Sequence, residues 1–148
     1  YCRNRSEANL QISSKSMYIF VYGTLKKAYK ELNPFTQAFH ENTEWICDTA
    51  IKGNIYLMDW YPALQLIGSN VVHGEIYKIN SPALLEKIDA YEDACTEGDY
   101  EKLDPLHQAS IEYLRRRISV EGMECWVYEY IGEVDTSKHI ESGVFEMK

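Results

Sequence analysis

Short runs of β-branched and aromatic residues recur along this chain, and turn residues separate most of them over only a few positions. Such runs are typical of strands, and strands that follow one another this closely are joined as hairpins. The clearest pair is "IEYLRRRISV" and "MECWVYEYI", around a predicted turn at Glu121–Glu124. Other strands are predicted at "YIFVYG" (Tyr18–Gly23), within "CDTAIKGNIYLMDW", and at "NVVHGEIYKI", where Gly74 indicates a bulge or a close backbone contact. Pro62 marks a turn or an edge strand.

Only two segments carry a helical pattern. The first follows Asn33, a suitable cap, and the second follows Ser81, after which apolar side chains recur at helical spacing. The segment "CTEGDYEKLDPLHQAS" (Cys95–Ser110), within the stretch Asp93–Glu112, is predicted to be a surface loop that includes at most one helical turn. Few helices among hairpin-linked strands favour an α+β fold: a small mixed, largely antiparallel β-barrel with two or so packed helices.

The chain has 148 residues, of which 45% are hydrophobic, and these values are typical of one domain with a substantial core. Residues 1–16 are polar and lack periodicity, whereas Met17 directly precedes the first predicted strand. We therefore expect residues 1–16 to be an upstream or cloning-derived extension, and residues 17–148 to form the domain.

The net charge is -8, which argues against a partner with a phosphate backbone. The one basic cluster, Arg115–Arg117, has acidic neighbours at Glu112 and Glu121, and it is predicted to be a solvated or ion-paired part of a strand. No apolar run approaches the ~20 residues of a membrane-spanning helix. The sequence therefore predicts neither a nucleic-acid partner nor a membrane partner.

The cysteines and histidines form no recognisable site. Cys2, Cys47, Cys95 and Cys125 include no C-x-x-C pair and no histidine at metal-ligand spacing, and a G-x-S-x-G motif is absent. We expect free thiols in a reducing compartment, hence a cytoplasmic location, and no metal site.

The motif "VYGTLK" leads a hydrophobic strand into Gly23 and Thr24. The backbone N–H groups of such a loop can point one way and bind an anion such as a carboxylate. Alternatively, the loop is an ordinary turn that binds nothing, which on these residues alone is the commoner outcome. It lacks the further glycines of a nucleotide-binding loop.

Glu92 lies where the pattern of the second helix fades, four residues after Ile88. This spacing places its carboxyl on or beside the apolar face of the helix. A carboxyl held against apolar groups has a raised pKa, which suits a general base. The alternative is an exposed acid at a helix end.

Together these motifs resemble the γ-glutamylcyclotransferase-like family, which includes AIG2-like proteins and γ-glutamylamine cyclotransferase. The matching segments occur in the family's order from about Tyr18 to Glu146: "VYGTLK", "WYPAL", "VHGEIYKI", "LLEKIDAYED", "YLRRRISV", "CWVYEY" and "HIESGVF". Phe145 stands where the family often has Trp, and the stretch Asp93–Glu112 is longer than in compact members.

The resemblance implies an enzyme whose substrate supplies its own nucleophile. The α-amine of a γ-glutamyl group attacks the γ-carbonyl, 5-oxoproline forms, and a free amine or amino acid leaves. It implies Glu92 as the general acid/base and no metal or organic cofactor. It implies Tyr22–Leu25 (Tyr22, Gly23, Thr24 and Leu25), together with Tyr113 and Arg115, as substrate-binding residues.

A second hypothesis is a non-catalytic module that binds a small molecule in the same pocket. The presence of Glu92 favours the enzyme, because a binding module has no need of a base. Both hypotheses predict a small-molecule partner, and both leave the identity of the γ-glutamyl compound and the oligomeric state open.

Overall fold

The structure, a computed structural model, describes residues 17–147. The extension predicted over residues 1–16 lies outside the described residues. The strands are β1 (Met17–Val21), β2 (Thr43–Lys52), β3 (Asn54–Met58), β4 (Tyr61–Gln65), β5 (Val71–Ile79), β6 (Ala94–Thr96), β7 (Tyr113–Val120) and β8 (Met123–Tyr130). The helices are α1 (Pro34–Glu41), α2 (Pro82–Glu92), α3 (Glu97–Lys102) and α4 (Pro105–Gln108), with single 3-10 turns at Lys27–Tyr29 and Thr136–Lys138.

Six strands form one mixed sheet in the order β2-β5-β1-β8-β7-β6. Three of its five pairings are antiparallel, and the parallel pairs are β1 with β8 and β6 with β7. The predicted α+β class with a largely antiparallel sheet is therefore confirmed. Gly74 on β5 makes the expected close contact, because a Cβ there would meet the Val21 carbonyl and the Phe20 ring.

The expected barrel is not closed in the part of the chain that the structure describes. The strands β3 and β4 pair only with each other as a separate hairpin, and β2 and β6 remain at the two edges of the main sheet. Two local features limit further strand pairing. Pro62 on β4 has no N–H to donate to a further strand, and β6 is only three residues long.

The two predicted helices begin where their capping residues indicate. The Asn33 side chain accepts a hydrogen bond from the Thr36 amide at 2.9 Å, and the Ser81 hydroxyl accepts one from the Ala83 amide at 3.1 Å. The segment Asp93–Glu112 differs from the prediction of a surface loop. It contains β6 and the two short helices α3 and α4, which Thr96 and Asp104 cap.

Strand β1 lies between the two hydrophobic clusters of the core, which explains its continuous apolar sequence. Tyr18 and Phe20 face one cluster, with residues of β3, β5 and β8 and Phe145. Ile19 and Val21 face the other, beneath α1 and α2. The end of β1 is therefore fixed from both sides, and the loop that follows it starts from a rigid position.

The cysteine prediction is wrong at one position. Cys95 and Cys125 carry free thiols, whereas Cys47 is disulfide-bonded. Cys2 lies outside the described residues, and the cytoplasmic location stays a prediction. Within residues 17–147, no helix has the length and apolar character needed to cross a membrane.

Candidate functional site

A cavity of about 290 Å³ lies at the carboxyl end of β1. Its walls come from the end of β1 and the loop after it, the β3–β4 hairpin, the end of α2, Glu112 with the start of β7, and Tyr128 of β8. Its lining consists of Phe20, Val21, Tyr22, Gly23, Thr24, Leu25, Trp60, Tyr61, Pro62, Tyr91, Glu92, Asp93, Glu112, Tyr113 and Tyr128. The two motifs that sequence reasoning singled out, the Gly-Thr loop and Glu92, thus share one cavity.

The loop after β1 turns at Gly23, whose carbonyl accepts a hydrogen bond from the Lys26 amide at 3.1 Å. No acceptor within residues 17–147 takes a hydrogen bond from the amides of Gly23, Thr24 or Leu25. Because all three residues line the cavity, these N–H groups are available to an anionic oxygen of a ligand. The backbone geometry therefore fits the anion-binding interpretation of the motif.

The side chains of the loop are engaged with the protein. The Tyr22 hydroxyl donates to the Tyr128 backbone carbonyl at 2.6 Å. The Thr24 hydroxyl lies 3.3 Å from the Tyr91 hydroxyl. These contacts fix the conformation of the loop, so its backbone is the part left to bind a ligand.

Glu92 is the last residue of α2, and Asp93 ends the helix in the left-handed conformation with φ 53°. The Glu92 side chain is partly buried in the cavity wall. Burial, with smaller contributions from the negative charges of Asp93, Glu112 and Asp89, raises the pKa of Glu92 to about 8. No group within residues 17–147 donates a hydrogen bond to its carboxylate. The carboxyl therefore titrates near neutral pH, where a proton-transferring group is most useful.

Glu112 and Tyr61 also line the cavity and were not singled out from the sequence. The Tyr61 hydroxyl donates to Glu112 Oε1 at 2.8 Å, and burial with this neighbouring carboxylate raises the pKa of Tyr61 to about 12. The Tyr113 hydroxyl donates to the Pro62 carbonyl at 2.7 Å. The sequence offered one indication of both residues: Tyr61 lies within the motif "WYPAL", and Glu112 directly precedes Tyr113, a predicted substrate-binding residue.

Arg115 is not among the described residues that line the cavity. Its Nε atom lies 3.0 Å from Asp89 Oδ1, and its guanidinium carbon lies 4.3 Å from the centroid of the Trp126 ring. Of the predicted substrate-binding residues, Tyr22–Leu25 and Tyr113 are brought together, whereas Arg115 lies behind the cavity wall.

The charged residues of the lining are all acidic: Glu92, Asp93 and Glu112. Such a lining attracts a cationic group such as an ammonium. A ligand carboxylate at this site would be bound by backbone amides and hydroxyls, because no basic side chain is in the described lining. Within residues 17–147, no cluster of three or more His, Cys, Asp or Glu side chains could hold a metal ion.

A family model described as "Gamma-glutamyl cyclotransferase, AIG2-like" matches residues 19–147. The chain is 30% identical over 134 residues to the gamma-glutamylcyclotransferase family protein YtfP of Escherichia coli strain K12, covering 86% of this chain and 94% of that protein. The match spans both Glu92 and the loop after β1.

Solved structures show the same fold. The solution structure of YtfP from Escherichia coli matches with a TM-score of 0.60 and 29% identity, over 87% of this chain and 96% of that one. A crystal structure of a Pyrococcus horikoshii protein matches with a TM-score of 0.61 and 18% identity, over 87% and 89% of the two chains. An AIG2-like protein from Mus musculus matches with a TM-score of 0.50 and 22% identity, over 77% and 76%.

Proposed function

Because the chain belongs to the gamma-glutamyl cyclotransferase, AIG2-like family, we propose that it is a γ-glutamyl cyclotransferase. It converts a γ-glutamyl compound into 5-oxoproline and a free amine or amino acid by intramolecular acyl transfer. One observation carries the proposal: a carboxyl with a pKa of about 8 lies in the same cavity as three backbone amides without partners in the described chain.

In the proposed reaction, the Glu92 carboxylate takes a proton from the α-ammonium of the substrate. The raised pKa of Glu92, about 8, lies nearer to that of an α-ammonium than the pKa of an ordinary carboxyl does, so this proton transfer costs less free energy. The freed amine nitrogen attacks the γ-carbonyl carbon, and the carbonyl oxygen becomes an oxyanion. Glu92 then donates this proton to the departing nitrogen, and the oxyanion re-forms the carbonyl as the original C–N bond breaks. The ring nitrogen gives up its second proton to the Glu92 carboxylate, from which the released amine or solvent takes it, and 5-oxoproline is complete.

The loop after β1 would bind the glutamyl part of the substrate. The amides of Gly23, Thr24 and Leu25 would hold either the α-carboxylate or the developing oxyanion, and both are anionic oxygens. Ring closure requires a folded substrate, so positioning by a fixed loop supplies a large part of the rate enhancement. The acidic lining suits the α-ammonium. The proposed chemistry gives no role to a metal or an organic cofactor.

The proposal is tested by incubating the protein with a panel of γ-glutamyl compounds and measuring 5-oxoproline. The panel should include glutathione, γ-glutamyl dipeptides, an isopeptide-linked lysine and simple γ-glutamyl amines, since all share the reacting end. We expect turnover of at least one class. Binding of panel members without any 5-oxoproline would instead support the non-catalytic binding module.

The substitution Asp93→Asn tests the electrostatic environment of Glu92. Asparagine tolerates the left-handed conformation of this exposed position, so the helix end should be retained. Loss of the neighbouring negative charge favours the ionised form of Glu92 and lowers its pKa. If Glu92 is the base, the acidic limb of the kcat/KM profile, expected near pH 8 in the wild type, should move down by about half a pH unit. An unchanged limb would assign it to another group.

A further inference from the structure

A network of polar contacts behind the cavity meets at Tyr128 on β8. The Tyr128 ring lines the cavity, and its hydroxyl donates to Asp89 Oδ1 at 2.7 Å. Its backbone carbonyl accepts the hydrogen bond from the Tyr22 hydroxyl at 2.6 Å. Tyr22 begins the loop that carries the free amides, and Asp89 precedes Glu92 by three residues on α2. Tyr128 is therefore attached to both parts of the proposed site.

Arg115 completes this network from the neighbouring strand. It is the register partner of Tyr128 across β7 and β8, and its Nε atom lies 3.0 Å from the same Asp89 oxygen that accepts the Tyr128 hydroxyl. The side chains of Arg115 and Asp89 are only 13% and 16% exposed, and the Trp126 ring lies against the guanidinium. The pair is largely shielded from solvent, and it is an ion pair in which the Nε–H of Arg115 makes no well-aligned hydrogen bond.

The energetics of this pair favour a geometric role over a stabilising one. Burial raises the pKa of Asp89, and the opposing effects of the Tyr128 hydroxyl and the Arg115 charge do not cancel the rise. Buried ion pairs with such incomplete compensation add little net stability compared with apolar residues, although they define one arrangement of their elements. Here the arrangement concerns the last turn of α2, because residues three apart share a helix face.

We propose that Arg115 is a positioning residue: through Asp89 and the Tyr128 hydroxyl it holds the last turn of α2, and with it Glu92, in place at the cavity. This inference rests on the proposed role of Glu92 as the acid/base. It assigns Arg115 an indirect role where the sequence resemblance implied direct contact with the substrate.

Steady-state kinetics of four variants test the inference. Tyr128→Phe keeps the ring in the cavity wall and removes only the hydroxyl, and Arg115→Met keeps much of the side-chain volume without the charge. In both, kcat should fall about 10-fold or more while KM stays within about twofold, because a displaced base slows proton transfer without removing a substrate contact. Arg115→Lys should retain more activity than Arg115→Met. Arg117→Met is the matched control, since Arg117 lies over the same Trp126 ring and has no contact with Asp89, and it should be unchanged.

Asp89→Asn adds a readout that loss of packing would not produce. The titratable groups that act on Glu92 are Asp89, Asp93 and Glu112, together with the phenols of Tyr22, Tyr113 and Tyr128. Because the variant weakens the contacts of Asp89 with Arg115 and Tyr128, it should lower kcat. Because the Asp89 charge opposes ionisation of Glu92, the variant should also move the acidic limb of the kcat/KM profile to lower pH. The double variant Asp89→Asn/Arg115→Met should have a kcat no lower than that of the more severe single variant, because both substitutions remove the same Arg115–Asp89 contact.

Two kinetic results would overturn the inference. One is an increase in KM at unchanged kcat for Arg115→Met, which would place the guanidinium on the substrate. The other is full additivity of the effects of Asp89→Asn and Arg115→Met on kcat.

If the wild type converts no γ-glutamyl compound, the proposed function fails, and the inference is then tested by NMR of the Glu92 carboxyl group alone. Tyr128→Phe should still shift the Glu92 carboxyl resonance and leave that of Glu86, exposed on α2, unmoved; an unmoved Glu92 resonance would count against the network.

Discussion

Glu92→Gln should reduce 5-oxoproline formation by about 10²-fold or more, the usual loss when a general acid/base is removed. The amide has nearly the shape of the carboxyl and keeps the cavity wall, so substrate binding should change much less than kcat. The measurement is a steady-state rate with the best substrate of the panel. Glu86→Gln is the matched control, because Glu86 lies on the exposed face of the same helix, and its rate should equal the wild-type rate. Full activity in Glu92→Gln would remove Glu92 from the mechanism.

The same substitution should make the protein more stable at alkaline pH. The folded-state pKa of Glu92 is about 8, against an ordinary value of 4.5, so the folded protein holds a proton that the unfolded chain has released. The free energy of unfolding of the wild type therefore falls as pH rises from about 4.5 to about 8. Glutamine stays neutral throughout and avoids this loss.

Thermal unfolding at two pH values measures this effect. At pH 5 the melting temperatures of the wild type and Glu92→Gln should be close. At pH 8.5 the variant should be higher by about 3 °C or more. A variant that gains stability while losing activity would show that burial of the carboxyl is maintained for function. An equal difference at both pH values would mean that the ionisation of Glu92 is not the cause.

Local patterns in the sequence were sufficient for the elements that carry the site. The continuous apolar run of β1 predicts a strand, and the structure places that strand between two hydrophobic clusters. Ser81 and the apolar spacing after it predict α2, which ends at Glu92. These features depend on residues within a few positions of each other, which is why one sequence reveals them.

The contacts around the site depend on strand register, which local patterns do not contain. Arg115 fits a motif by its spacing from Tyr113, yet its partner is Asp89, because β7 and β8 pair so that Arg115 lies opposite Tyr128. Glu112 reaches the cavity because its segment lies beside Tyr61 of the hairpin, 51 positions earlier. Local patterns also do not show whether the sheet closes into a barrel, because closure depends in addition on which strand edges meet. The roles assigned to individual residues stay predictions until the variants are measured.

Gly23→Ala should weaken substrate use strongly, because no room exists for a methyl group at this position. A Cβ on Gly23 would lie 2.8 Å from Pro62 Cγ and 3.1 Å from Pro62 Cδ. The proline ring cannot rotate away, and its carbonyl is held by the Tyr113 hydroxyl. Either the loop or the hairpin must therefore move. We expect kcat/KM to fall about 10- to 100-fold and the free energy of unfolding to fall by about 1–3 kcal/mol.

Gly98→Ala is the control, because Gly98 lies in helix α3 and a Cβ there would have no heavy atom within 4 Å. It should leave the kinetics unchanged and keep the free energy of unfolding at or above the wild-type value, because alanine is favoured over glycine in helices. Urea unfolding and steady-state kinetics on both variants separate the two effects of Gly23→Ala. If that variant loses stability but keeps kcat/KM at the wild-type value, the loop amides do not bind the substrate. If kcat/KM falls with stability, the glycine is needed because it lets the loop after β1 lie against Pro62, with its amides facing the same cavity as Glu92.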